Sequence, residues 1–153
     1  MNVLRDSSPR ISAMSQHAVD NVRKLEALIR EAPQFELETK HVIHGGMYSR
    51  TIRMPAQHIL TGTLVKVPTL LIISGHVTVY LGDGHAELIG YGVVPASAGR
   101  KQAFVSHMDT DISMVFCTSA KTVSEAEEEL TDEVDLLVSR SGQGSNLITI
   151  TGE

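Results

Sequence analysis

Residues 54–116 read MPAQHILTGTLVKVPTLLIISGHVTVYLGDGHAELIGYGVVPASAGRKQAFVSHMDTDISMVF, a series of short β-rich runs separated by Gly, Pro and Asp, in the order used by a small double-sheet barrel. Thr69 to Ile73 is a continuous, mainly apolar run, as expected of a strand covered on both faces. Ser74-Gly75 is expected to turn it into a second strand, His76 to Leu81, where Val77 and Val79 alternate with Thr78 and Tyr80. Gly82-Asp83-Gly84 predicts a hairpin with positive φ at Gly84, leading into His85 to Ile89. Gly90 and Gly92 bracket Tyr91 ahead of Val93-Val94-Pro95, and Asp111 to Phe116 supplies the last barrel strand. The whole stretch is antiparallel meander material.

Outward from this core, residues 1–14 are polar and Ser-rich, with Pro9 among them, and read as a flexible arm. Residues 15–33 form an amphipathic helix. Ala18, Val22, Leu25, Ile29 and Ala32 recur at three- and four-residue spacing, Asp20, Arg23, Lys24, Glu26 and Arg30 face away, and Pro33 stops it. Residues 34–120 are assigned to the barrel, which begins with two extended segments around Gly45-Gly46. A second helix is expected over 121–140, with Ser124 and Glu127 at capping-box spacing and Ala126, Leu130, Val134 and Leu137 on its apolar face. Glu125, Glu128, Glu129, Asp132 and Asp135 form its solvated face. Residues 141–153 are a linker and a tail strand, NLITITGE, which must find a sheet edge on its own barrel or on another subunit.

The chain has 153 residues, enough for one domain with a core and too few for two large ones. A net charge of -5 argues against a dedicated nucleic-acid binder, which needs a clustered basic surface. One cysteine, Cys117, excludes an intramolecular disulfide framework and reads as a buried strand thiol in a reducing compartment. The start MNVLRDSSPRISAM holds no apolar signal-peptide stretch, and no window approaches a membrane span. The expected location is the cytosol or an assembly formed inside a cell, with no membrane partner.

A set of motifs carries a resemblance. His44, Gly46, Tyr48 and Arg50 fit H-x-G-x-Y-x-R. Pro55, Ala56, Leu60, Thr61 and Gly62 follow P-A-G-x-x-L-T-G, with Gln57 in place of its glycine. Ser74-Gly75 and the loop Pro95, Gly99, Arg100, Lys101 complete the pattern. Over roughly residues 35–138 the chain resembles small cupin-like proteins encoded by tailed bacteriophages and prophages. That resemblance implies a cupin-like, double-sheet jelly-roll barrel with flanking helices and a viral context. It implies no activity. Metal-binding cupins place histidines and a carboxylate before the Ser-Gly glycine and a further histidine after the Pro-x-Gly loop. Here the first window is Thr61 to Pro68, with Val65 where relatives keep a histidine, and Arg100-Lys101-Gln102 fills the second. No metal, cofactor or catalytic residue is therefore expected, and the chain reads as a non-enzyme.

The histidines leave two readings open. His41, His44 and His58 make a surface metal site or stand scattered in solvent, with His41 and His44 on opposite faces of a strand. His76 and His85 pair across the hairpin or do not. His107, near Asp109 and Asp111, has no nucleophile at a relay position. The cations Arg50, Arg53, Arg100 and Lys101, with Tyr48, either gather at the barrel mouth around a carboxylate or phosphate, or tie the barrel to the acidic segment 125–135 or to a second subunit. The overall expectation is a homo-oligomeric structural or assembly protein of a phage, with other virion proteins as further partners and a small-anion-binding module as the alternative. A metal-dependent cupin enzyme is the third. Val22, Leu25 and Ile29 of the first helix and Leu147, Ile148 and Ile150 of the tail are the expected interface residues.

Overall fold

The computed structural model describes residues 10–142 and 144–153. Among these, helix α1 (Gln16–Arg30) precedes strands β1 (Glu38–His44), β2 (Met47–Met54), β3 (Ile59–Thr61), β4 (Thr69–Tyr80), β5 (His85–Ala96), β6 (Ala103–Ser106) and β7 (Thr110–Cys117). Helix α2 (Val123–Leu130), two short 3-10 turns and strand β8 (Ser145–Ile150) follow. The strands make one curled sheet in the order β3-β6-β4-β7-β2-β1-β8, with β5 along the other side of β4. The chain is mainly β, a jelly-roll-like half-barrel with two helices. No described helix is long and apolar enough to cross a membrane.

Strand β4 makes the curl. Its first half, Leu70 to Ser74, pairs with β7; its second half, Val77 to Tyr80, pairs with β6; β5 follows it along its full length. At the crease Gly75 stands opposite Gly90, with φ of 146° and 82°. Two facing glycines let the ladder bend without interruption. A Cβ at Gly75 would overlap Thr110. Ser74-Gly75 is thus a bend inside one twelve-residue strand, where a turn between two strands was expected. The hairpin expectation also shifts, because positive φ falls on Gly82 (81°) and Gly84 is not among the positive-φ glycines.

Burial along β4 alternates, so Thr69–Ile73 is not covered on both faces. Leu71 and Ile73 are buried and Leu70 is exposed. Inside the curl, Met54, Leu71, Ile73, Val77, Val79, Phe104 and Ile112 form one apolar cluster. Ile43, Tyr48, Val65, Phe116, Ala126, Leu130 and Leu137 form another.

Both termini differ from the sequence expectation. Of the segment 1–14 expected to be flexible, residues 1–9 lie outside the described residues, while Ile11 is buried and bridges Ala96, with its N–H donating to Pro95 O at 2.9 Å. Helix α1 starts at the Ser15 cap, whose hydroxyl accepts from Ala18 N, and ends at Arg30, three residues before Pro33. It buries Ala18, Val19 and Val22 against its own barrel. Val22 alone stabilises this docking by about 1.5–3 kcal/mol and is no longer available to an interface. Leu25 and Ile29 are half-buried on the same side.

Helix α2 covers only part of the expected 121–140. Its cap is Thr122, whose hydroxyl accepts from Glu125 N, two residues ahead of the expected Ser124 cap. It ends at Leu130 because the barrel claims the next groups. Lys66 N donates to Leu130 O, and the Thr131 hydroxyl donates to Leu64 O at 2.7 Å. Val134–Leu136 and Val138–Arg140 continue as 3-10 turns, which still deliver Leu137 to the core. The tail strand does find its own barrel. It lies parallel to β1, with Lys40 beside Leu147 and Val42 beside Thr149.

Candidate functional site

The inward side chains of β2 are Tyr48, Arg50, Ile52 and Met54, alternating with outward Ser49, Thr51 and Arg53. That alternation separates the sequence-selected cations at once. Arg53 is exposed on the outer face, 3.3 Å from Asp111 and 3.9 Å from Asp109. Arg50 is buried and reaches Glu127 Oε2 at 3.4 Å and Ser139 Oγ at 3.3 Å. Glu127, also buried, accepts from Arg140 Nε at 3.0 Å and from the Ser139 hydroxyl. Two guanidiniums thus share one carboxylate.

Beside this cluster the Tyr48 hydroxyl lies 2.7 Å from His41 Nδ1, and His41 Nε2 lies 2.7 Å from Asn146 Oδ1 on β8. Burial pushes the Tyr48 phenol up to about 12. Burial also holds His41 below its ordinary value, against the opposing pull of its bond to Asn146. A neutral imidazole then donates from Nε2 to Asn146 and accepts the Tyr48 proton at Nδ1.

Arg100 and Lys101, adjacent in sequence, are both fully buried and point to different partners. The Lys101 ammonium lies 3.0 Å from Glu26 of α1 and 2.9 Å from Glu133. Burial raises the Glu133 carboxyl, but hydrogen bonds from Lys101 and Arg23 outweigh it and hold the group below its ordinary value. Arg100 donates only to neutral acceptors: Thr69 Oγ1 at 2.5 Å, Ser97 O at 2.7 Å and Gln102 Oε1 at 3.1 Å. It has no carboxylate partner among the described residues, and desolvation lowers it to about 10.

The curl holds a partly open cavity of about 80 Å³ lined by Ile52, Leu60, Val65, Phe104, Met114 and Leu130, with Arg50 and Gln102 as its long polar side chains. Gln102 is buried, and its Nε2 finds no acceptor. The expected five-residue site is therefore split. Tyr48 and Arg50 belong to the α2 cluster, Arg100 stands behind Gln102, Lys101 faces α1 and Arg53 faces out. Sequence reasoning missed Glu127, read as a capping residue, and Gln102, read only as a lost metal ligand. Glu127 lies three residues before Leu130, hence on the buried face, and that spacing was the available signal.

The remaining polar candidates sit elsewhere. His41 is buried and His44 exposed, while His58 stacks edge-on against Phe35 at 4.4 Å. His76 faces Glu87 at 2.5 Å and His107 at a ring distance of 4.5 Å, and His85 stands opposite Tyr80. His107 Nε2 lies 2.6 Å from Thr78 Oγ1. Cys117 is exposed, not buried, because it ends β7 on the outer side.

A cupin-type metal would need imidazoles and carboxylates converging on the cavity. The side chains lining it are aliphatic, aromatic, hydroxyl, amide and guanidinium groups. Among the described residues no three His, Cys, Asp or Glu side chains converge anywhere. This donor set does not fit a divalent cation, which Arg50 would also repel.

No family model matches the chain, and no curated protein does. Among solved structures, a cupin-2 domain from Rhodospirillum rubrum superposes at a TM-score of 0.48 with 11% identity, over 60% of this chain and 66% of its own. A protein from Neisseria meningitidis gives 0.47 and 9%, over 61% and 96%. A cupin superfamily protein from Desulfitobacterium hafniense gives 0.46 and 11%, over 57% and 83%. The fold is that of a cupin-like jelly-roll barrel with flanking α-helices.

Proposed function

We propose that this chain is a non-enzymatic, homo-oligomeric structural or assembly component built on a cupin-like barrel, working in the host cytoplasm or in a phage particle. The observation that carries the oligomeric reading is the open edge of β8. All six of its residues are exposed, and Leu147, Ile148 and Ile150 keep 55%, 50% and 48% of their surface in water. Ser145 N donates to Leu37 O and Thr151 N to Ile43 O. By the alternation of a parallel ladder, Asn146, Ile148 and Ile150 direct their main-chain groups away from β1.

Exposed edges in monomers are usually guarded by Lys, Pro or a bulge. The stretch SNLITI carries no charge and no proline. A second copy of this chain fits that edge best, since an edge strand turned about a two-fold axis pairs antiparallel with itself. Leu70, Val93, Ile89 and Tyr91 of β4 and β5 are also exposed, the last two by more than 70%, but β1, β2 and β7 separate them from β8. The phage or prophage setting rests on the motif resemblance over residues 35–138.

Light scattering on the purified full chain tests the oligomer: a mass of two or more chains at micromolar concentration is expected, and a strict monomer contradicts it. Mass spectrometry of purified particles from a host carrying the gene tests the setting. The chain at structural copy number supports a virion component, and its absence restricts the role to assembly in the cytoplasm.

A further inference from the structure

The two long polar side chains of the cavity, Arg50 and Gln102, are both N–H donors suited to negative charge. Gln102 cannot present either end of its amide at will. Arg100 Nε donates to its Oε1 at 3.1 Å, which fixes the carbonyl on the arginine side and leaves Nε2 as a donor with no acceptor. Such an orphaned buried donor is costly, and an acceptor oxygen placed in the cavity would satisfy it.

The charge count points the same way. Behind Gln102, Arg100 is buried with neutral partners only. On the other polar side, Arg50 and Arg140 share the single carboxylate of Glu127. Each set carries one uncompensated positive charge, and a buried charge of this kind is stabilised by an anion placed nearby. Apart from these two residues the cavity is dominated by aliphatic and aromatic groups, including Leu60, Val65, Phe104 and Met114. Its volume of about 80 Å³ is roughly half that of a cavity able to hold benzene, so the enclosed part of a ligand is small.

We propose that the barrel cavity binds a short aliphatic monocarboxylate, its carboxylate accepting from Gln102 Nε2 and lying near Arg50, its hydrocarbon end against Leu60, Val65 and Phe104. Arg100 acts through Gln102 as a positioning residue: it orients and polarises the amide without touching the ligand.

The probe is isobutyrate, titrated into the isotope-labelled full chain and followed by side-chain amide and methyl NMR, with isobutanol as the uncharged isostere. Saturable shifts at the Gln102 amide and at the Leu60 and Val65 methyls are expected with isobutyrate, and affinity at least tenfold weaker with isobutanol. Gln102→Leu should weaken isobutyrate ten- to hundredfold, as expected for losing a hydrogen bond to a charged group. Val65→Met keeps the polar groups and fills the cavity, so it should abolish the methyl shifts while the wild-type pattern of β resonances persists. Absence of saturation in wild type at tens of millimolar, equal affinity for the alcohol, or undiminished binding by Val65→Met would each overturn the proposal.

Discussion

One side of this barrel is sealed by helices and the other is left open, although the sequence offers apolar residues to both. On the sealed side, α1 buries Ala18, Val19 and Val22, and its middle turns are tied down by Arg23–Glu133 and Lys101–Glu26 pairs at 2.9 and 3.0 Å. Helix α2 adds Ala126 and Leu130 and the Arg50–Glu127–Arg140 cluster. Left open are two separate regions, the edge strand β8 with Leu147, Ile148 and Ile150, and the outer face of β4 and β5 with Leu70, Ile89 and Tyr91. The difference teaches that apolar periodicity identifies a face that wants covering, not what covers it. For α1 the cover is the chain's own barrel; for β8 it is the proposed second copy.

The sharpest way to break the sealed side is at Glu127. Replacing it with Ala leaves two guanidiniums without their carboxylate in a buried site, which should cost about 3–5 kcal/mol of folding stability. Urea unfolding measures this, and a midpoint shift worth less than 1 kcal/mol would show that the cluster is solvated rather than structural.

Next in size is the seam between α1 and the β4–β5 hairpin. Gly82 has φ of 81°, and an added Cβ would overlap the Ala18 carbonyl, whereas Gly84 has open space around it. Gly82→Ala should therefore cost about 2–4 kcal/mol and Gly84→Ala less than about 0.5 kcal/mol. Equal thermal shifts for the two would contradict this docking of α1.

Why such details escaped the sequence is physical. Gly82 and Gly84 flank one aspartate symmetrically, and only the approach of α1 distinguishes them. Ser74-Gly75 carries the composition of a turn, and it became a bend because Gly90 faces it across the ladder and because β6 and β7 take over β4 in succession. The strands themselves were legible, since β propensity and Gly spacing are local signals. The acidic segment 125–135 did supply partners for Arg50 and Lys101, through Glu127 and Glu133. A capping-box spacing nevertheless concealed that Glu127 is buried. Gln102 was invisible as a donor because its orientation depends on contact with Arg100, which always takes the carbonyl end, and local sequence does not encode that the two side chains meet.

A smaller effect is expected from acid. His41 has a folded pKa below its ordinary 6.5, so the unfolded chain binds a proton first and stability falls as pH drops below about 6.5. Glu133 is held below its ordinary 4.5, and its contribution, present above that value, is lost as pH falls through the folded pKa. Thermal melting from pH 7 to 4 should show two successive declines. His41→Asn should remove the upper one, and a flat profile between pH 7 and 5.5 would contradict a neutral buried His41.

The smallest expected change in stability accompanies the largest expected change in association. Ile148 directs its N–H away from β1 by the ladder's alternation, so Ile148→Pro removes a donor that the chain's own sheet does not use. Sedimentation equilibrium of wild type and Ile148→Pro at tens of micromolar tests the central claim most directly. The account predicts an oligomeric wild type and a monomeric variant that still melts cooperatively. A monomeric wild type, or a variant with unchanged mass, would contradict it.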